Sequence, residues 1–211
     1  MTFDRSLQSR RAWARIAGAA YLIVMVVDLT GLQIPRQLLG KSLLLTGSLL
    51  VVPLALGLYF TLRIFQPVTS AIALVCRLVE TFVGMIAALA RFETVRSAFA
   101  DTYVGNAALD LVAWNAAKGF DALMFTIGST LFFFVFVRSG AIPKVLAWLG
   151  LAASVIAFAA CATHVVQPSF PMLSAIPWIP MLLAEFSTGS WLLLRAVRDA
   201  PVDVKVQSVS R

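Results

Sequence analysis

Asp28, Arg77, Glu80, Lys118, Asp121 and Glu185 each lie within an apolar stretch long enough to cross a bilayer. A charge held at mid-membrane costs on the order of 3 kcal/mol or more, so such residues turn toward the interior of a helix bundle and by default mark a site. Arg77 and Glu80 are three residues apart, as are Lys118 and Asp121, so each pair can neutralise itself on one helical face. Asp28 and Glu185 then remain without a local cation. An unpaired carboxylic acid in apolar surroundings favours its uncharged form and can serve as a general acid or proton relay. The other pairing, Arg77 with Glu185 across the bundle, leaves Glu80 as the neutral acid.

The candidate proton donors and acceptors are therefore Glu80, Asp28 and Glu185, with Asp121 beside them. Arg77 and Lys118 would tune them or hold a polar end of the substrate. Phe82, Trp114, Phe125, Phe186 and Trp178 are the aromatic candidates for the wall, where ring faces can stabilise a passing positive charge. Ion pairs of this kind also do nothing more than fix helix register in many membrane proteins. The convergence of several helices on one depth favours the functional reading.

The elements that must position these groups are transmembrane helices. Of 211 residues, 60% are hydrophobic and 13% charged, and the mean hydropathy is +0.90, whereas charge makes up about a quarter of an ordinary soluble domain. The expected fold is all-α, a single membrane bundle over 1–211 with tails at 1–13 and 199–211. Apolar runs bounded by Pro, Gly or charge give six spans: 14–34, 42–62, 70–91, 107–137, 145–166 and 178–195. The basic start at Arg5, Arg10, Arg11 and Arg15 resembles a signal sequence, but the run that follows continues for a full span without a convincing cleavage site and reads as a retained helix.

Seventeen Lys and Arg against ten Asp and Glu give a net charge of +7, which in this composition points to a membrane surface and not to nucleic acid. With the N-terminus inside, eleven basic residues from Arg5 to Arg211 gather on the inner side, against Arg36, Lys41, Arg91 and Arg96 outside. Both termini are thus expected in the cytoplasm and the bundle in the inner (plasma) membrane. In this frame Arg77 and Glu80 fall near the middle of their span, Asp28, Lys118 and Asp121 in the outer halves of theirs, and Glu185 between. One polar pocket in the outer half would collect them. On span three the stripe Arg77, Glu80, Thr81, Gly84, Ala88 and Arg91 should face inward; on span four the stripe runs Trp114, Lys118, Asp121, Phe125 and Ser129.

The small residues Gly150, Ala153, Ser154, Ala157, Ala160 and Ala162 of span five predict a close helix contact, and Pro53 a bend in span two. Phe132 to Phe134 and Phe136 read as lipid-facing or packing surface. Cys76 and Cys161, both in apolar runs, suit neither a disulfide framework nor a metal site. His164, near an interface without a second ligand at usable spacing, reads as an ordinary polar residue, so no metal and no cofactor are expected. No phosphate-binding loop, dinucleotide fingerprint, zinc-protease signature, nucleophile elbow or Asp-rich magnesium motif is present. Proton chemistry on an apolar substrate survives that list.

Ala14-Arg15-Ile16-Ala17-Gly18 with Tyr21-Leu22, Arg77-Leu78-Val79-Glu80, Arg138-Ser139-Gly140-Ala141-Ile142-Pro143, and Pro180 through Glu185 to Trp191-Leu192-Leu193 resemble, in order and spacing, the bacterial membrane family called domain of unknown function 4386. The resemblance covers most of the chain and implies a six-helix integral membrane protein. In size and near-total helicity the chain is also similar to small integral-membrane terpene cyclases, which implies proton-initiated cyclisation or isomerisation of an isoprenoid or lipid-like molecule drawn from the bilayer. The alternatives are a small proton-coupled transporter using the same acids and a non-catalytic membrane scaffold in which the charges only pack helices.

Overall fold

In a computed structural model of the chain, residues 2–92, 94, 95, 97, 107, 111, 119–167 and 175–198 are described. They form six α-helices: α1 (Thr2–Gln33), α2 (Leu38–Leu62), α3 (Pro67–Leu89), α4 (Phe120–Ser139), α5 (Lys144–Val166) and α6 (Ala175–Arg195). Five of them are long and apolar enough to cross a membrane. The sixth spans 21 residues and carries Glu185 and Pro180; at 1.5 Å per residue it is about 30 Å long, which also matches a bilayer core. Large apolar side chains stand exposed around the outside, among them Val26, Leu39, Val68, Val145 and Leu194. In water that surface would be ruinous; in lipid it is the expected one. This is the construction of a multi-pass membrane protein.

Each helix packs on its neighbours in sequence, and α6 returns to pack on α1, so the six close into a ring. The short connections 34–37, 63–66 and 140–143 force the helices they join to run antiparallel. The Arg138–Pro143 motif makes such a turn: Gly140 ends α4 in the left-handed region at φ 63°, satisfying a terminal carbonyl of α4, and Pro143 precedes the first turn of α5. The seam between α6 and α1 is made by two glycines. A Cβ on Gly18 would lie 2.7 Å from the Gly189 carbonyl oxygen, and one on Gly189 would lie 2.8 Å from the Tyr21 Cβ. Without side chains at these points the two backbones can touch.

The core of the ring is formed by Phe132, Phe133 and Phe136 with Leu54, Leu58, Leu62, Ile142 and Leu192. Three of the four phenylalanines of the α4 run are thus interior, and Phe134 alone is exposed. The small face of α5 is buried at Gly150, Ala153, Ser154, Ala157 and Ala160, as its spacing predicts, though not at Ala162. Pro53 lies inside an unbroken α2.

The expected fourth span is corrected. Apolar spacing puts its start at 107, yet α4 begins at Phe120, because Gly119 before it is left-handed at φ 61°, a conformation that helical residues do not adopt. Of the expected stripe, Asp121, Phe125 and Ser129 lie on α4. Trp114 and Lys118 themselves lie outside the described residues.

Alternation of direction gives the molecule two chemically different ends. Arg10, Arg11 and Arg15 of α1, Arg63 after α2, Arg138 of α4, Lys144 of α5, and Arg195 and Arg198 at the end of α6 gather at one of them. That end is tied together by Arg10, which donates to the Arg198 carbonyl at 2.8 Å and stacks over the Phe65 ring at 5.1 Å, while the Arg198 amide donates to the Ala141 carbonyl at 2.9 Å.

Candidate functional site

The described acidic side chains are Asp28, Glu80, Asp121 and Glu185, and all four line one cavity of about 270 Å³ in the half of the bundle away from the basic end. Four helices supply them. Asp28 is near the far end of α1, Glu80 in the second half of α3, Asp121 in the first turn of α4 and Glu185 in the middle of α6. In antiparallel helices these positions share one depth, which is why residues so far apart in sequence meet.

Arg77 is the one basic side chain on this wall among the described residues. Its Nη1 lies 3.0 Å from Glu80 Oε2, forming the expected i,i+3 ion pair, at an angle that leaves that oxygen without a true hydrogen bond. The guanidinium is also 4.6 Å from the centre of the Phe125 ring, and Nη1 donates to Ser129 Oγ at 3.5 Å. Gly128 opens the route for it, since a Cβ there would sit 2.9 Å from the Arg77 Cγ and Cδ. Three features of α4 thus hold one arginine from α3. A planar cation that stacks on a ring and reaches two acceptors suits this setting better than a lysine ammonium.

Glu185 Oε1 is shut off from solvent and has no hydrogen-bond partner among the described residues. Asp28 forms no hydrogen bond or ion pair with them either, and rests against α2 at Gly47, where any Cβ would collide with its carboxylate. Asp121 Oδ1 accepts from the Ala122 amide at 2.7 Å; an acid in a first helical turn is favoured by the positive end of the helix dipole. The wall between these groups is apolar, with Val24, Met25, Val51, Leu54 and Leu182.

The aromatic candidates divide. Phe125 and Trp178 line the cavity, with ring centres 6.0 Å apart. Phe82 and Phe186 are 57% and 50% exposed on the outer surface and do not reach it. His164, in the last turn of α5, is not on its wall. Tyr21, which the sequence shows only as part of a motif and not as a site candidate, is buried and lines the cavity one helical turn from Met25 and two from Asp28. The stripe Tyr21, Met25, Asp28 on α1 carries the same spacing used on α3 and would have revealed it.

A second cavity of about 260 Å³ lies between α1, α2 and α3 and reaches the acids from another side. Asp28, Val51, Glu80 and Asp121 belong to both. Its wall includes Glu80, Thr81, Gly84, Ala88 and Arg91, the inward stripe of α3 expected from spacing.

A closed ring of long apolar helices around a largely apolar cavity that carries four acids defines the class: a multi-pass membrane protein with polar groups inside the bundle. The chain belongs to the family described as domain of unknown function DUF4386, which it matches over residues 36–196. No curated protein and no solved structure matches it, so the likeness to terpene cyclases gains no support from either comparison.

Proposed function

We propose that the protein is an integral-membrane enzyme that moves protons onto and off a hydrophobic, isoprenoid or lipid-like substrate lodged in the acid-lined cavity. One observation carries this reading. Glu185 presents a solvent-excluded oxygen with no partner among the described residues on an apolar wall shared with Asp28, while the nearby Arg77 is already engaged by Glu80. A scaffold whose charges only packed helices would pair its acids and leave no void. At about 270 Å³ the cavity falls just below small-molecule sites, which run from about 300 Å³ upward, so it would take a reacting head group while the rest of the substrate lay in lipid.

In the most concrete form, a carboxyl proton passes to one carbon of an olefin or to an epoxide oxygen. A neighbouring π bond attacks the resulting cation, which forms the ring bond and moves the positive charge to a new carbon; an adjacent C–H proton then leaves to a carboxylate, its electron pair becomes a C=C bond, and proton exchange among the carboxyls restores the donor. Phe125 and Trp178 face that charge, and the apolar wall excludes the water that would capture it. Glu185 and Asp28 are the proposed proton donors and acceptors, Glu80 and Asp121 the groups that reset them, and Arg77 the clamp on Glu80. By the bias of basic residues the Arg10–Arg198 end faces the cytoplasm, with the bundle in the plasma membrane.

The test is turnover of a prenylated olefin or epoxide in D₂O by membranes containing the protein. Deuterium should enter the product, and an Asp28→Asn, Glu80→Gln, Glu185→Gln triple variant should form none. Unchanged product formation by that variant ends the proposal. A proton-coupled carrier is the second reading, favoured by two cavities meeting at the same acids; a pH gradient across proteoliposomes should then drive solute movement.

A further inference from the structure

The second cavity is lined in rungs along three helices, with Asp121 of α4 at its inner end. Asp28 and Leu32 lie on α1, Leu44, Ser48 and Val51 on α2, and Glu80, Thr81, Gly84, Ala88 and Arg91 on and just beyond α3. Each set recurs at three or four residues, so each is one face of its helix. From Glu80 to Arg91 the face extends about 16 Å along the axis. Its outer members are Leu32, Leu44 and Arg91, at the C-terminal end of α1, the N-terminal part of α2 and the end of α3. All lie at the end of the bundle away from Arg10 and Arg198. Its inner members are the acids Asp28, Glu80 and Asp121, which the first cavity shares.

The wall is small and partly polar where the first cavity is greasy. A Cβ built on Gly84 would meet only Ser48 Oγ, at an ordinary contact distance of 3.5 Å, so α2 and α3 leave room for one more small group where both residues line the cavity. The hydroxyls of Ser48 and Thr81 donate to carbonyls of their own helices, Leu44 at 3.1 Å and Arg77 at 2.8 Å. Their oxygen lone pairs remain able to accept from water. Arg91 is exposed at the outer end. At roughly 30 Å³ per molecule of liquid, a space of this size is large enough for a file of waters, and its polar groups can hold them.

We propose that this channel between α1, α2 and α3 is a water-filled path along which protons reach the acids from the membrane face opposite the basic end, while substrate occupies the first cavity. The proposal deepens the reading of the acids as proton-transfer groups and supplies what that reading lacks, a route for exchange with solvent. Water would enter past Arg91, follow Gly84 and Ser48, and stop at Asp28 and Glu80. Glu185, on the first cavity alone, would exchange only through them.

The path can be read without a substrate, in the full chain, with Cys76 and Cys161 replaced by alanine and single cysteines introduced by Ser48→Cys and Gly84→Cys. Both fit: the first is nearly isosteric, and the Cβ of the second meets Ser48 Oγ at an ordinary contact distance. Ser154→Cys, at a fully buried position off both cavities, is the unreactive control. Arg36→Cys and Arg63→Cys, at exposed positions of opposite ends, report which face a membrane-impermeant cationic methanethiosulfonate meets in vesicles of either sidedness. We expect Ser48→Cys and Gly84→Cys to react with the sidedness of Arg36→Cys, about tenfold or more faster than Ser154→Cys, since thiol reaction rates follow access. Reaction no faster than the control, or only with the sidedness of Arg63→Cys, overturns the path. The labelling does not depend on turnover, so a labelled channel with an active triple-acid variant would sink the enzymatic reading alone, and an unlabelled channel with an inactive one would sink the path alone.

Discussion

The carboxylate of Asp28 on α1 lies directly against the backbone of Gly47 on α2, so closely that a methyl group in place of the glycine hydrogen would occupy the same space. An acid without a hydrogen-bond or ion-pair partner among the described residues is thereby seated by shape. Gly47→Ala should push the carboxylate off its seat or part the two helices, at a cost of about 1–3 kcal/mol for overpacking. Adding Asp28→Ala should recover much of that loss, because the clash needs both groups. Thermal unfolding of the two single variants and the double in detergent measures the coupling; strictly additive losses would mean that the contact is not made.

Arg77 and Glu80 behave as one unit inside the bundle. Removing the cation alone, by Arg77→Met, strands a buried carboxylate and should cost about 3–5 kcal/mol. The double variant Arg77→Met, Glu80→Gln should cost clearly less than the sum of the singles. Arg77→Lys should fall short of restoring the native stability, since an ammonium cannot both lie over Phe125 at ring-stacking distance and reach Ser129. Denaturant or thermal scans on the four proteins decide it, and a fully stable Arg77→Met variant would contradict the geometry.

The seam that closes the ring rests on Gly18 and Gly189. Valine at either position must force α1 and α6 apart, and a destabilisation of about 2 kcal/mol or more is expected from the overpacking and lost contacts. Cross-linking yield between cysteines placed across the seam should fall in parallel. A Gly18→Val protein as stable as the parent would show that the ring is not closed there.

At the basic end, Arg10 joins the first and last helices through the Arg198 carbonyl and caps the Phe65 ring. Arg10→Ala removes a charge-assisted hydrogen bond worth about 1.5–3 kcal/mol. The end of α6 should become the first point of proteolysis while the half of the bundle with the acids keeps its fold. Limited digestion followed by mass spectrometry locates the cut.

Substitutions at Phe82 and Phe186 provide a contrast. Both rings are half exposed on the outer surface, so Phe82→Leu and Phe186→Leu should leave turnover in the D₂O assay within about twofold of the parent, the scale of surface substitutions within ±0.5 kcal/mol. Phe125→Leu, which takes the ring from under Arg77, should reduce it well beyond that. Equal effects at all three positions would argue against the cavity as the reacting site.

Much of this was legible in the residues. Apolar runs set five long helices and most of a sixth, because a bilayer leaves a backbone few ways to satisfy its hydrogen bonds other than a helix. Spacing of three placed Arg77 beside Glu80, and alternation of direction placed Asp28, Glu80, Asp121 and Glu185 at one depth. The α3 stripe toward Arg91 was equally readable, since helical period alone fixes which residues share a face. The expected start of the fourth span was not, because an apolar, helix-compatible stretch leading into Gly119 gives no notice that this glycine takes the left-handed conformation.

What the sequence determined by itself is therefore one-dimensional: which segments are helical, how deep each residue sits, and which side chains share a helical face. Tertiary structure decided the rotation of each helix about its own axis and the order in which they close. That rotation put Tyr21 on the cavity wall and turned Phe82 and Phe186 to the outside. It seated Asp28 on Gly47 and divided the polar interior into two spaces that meet at the acids. Helix rotation depends on the fit of small residues such as Gly18, Gly47, Gly128 and Gly189 against surfaces contributed by other helices, and the pattern of one segment carries no record of the shape it will meet.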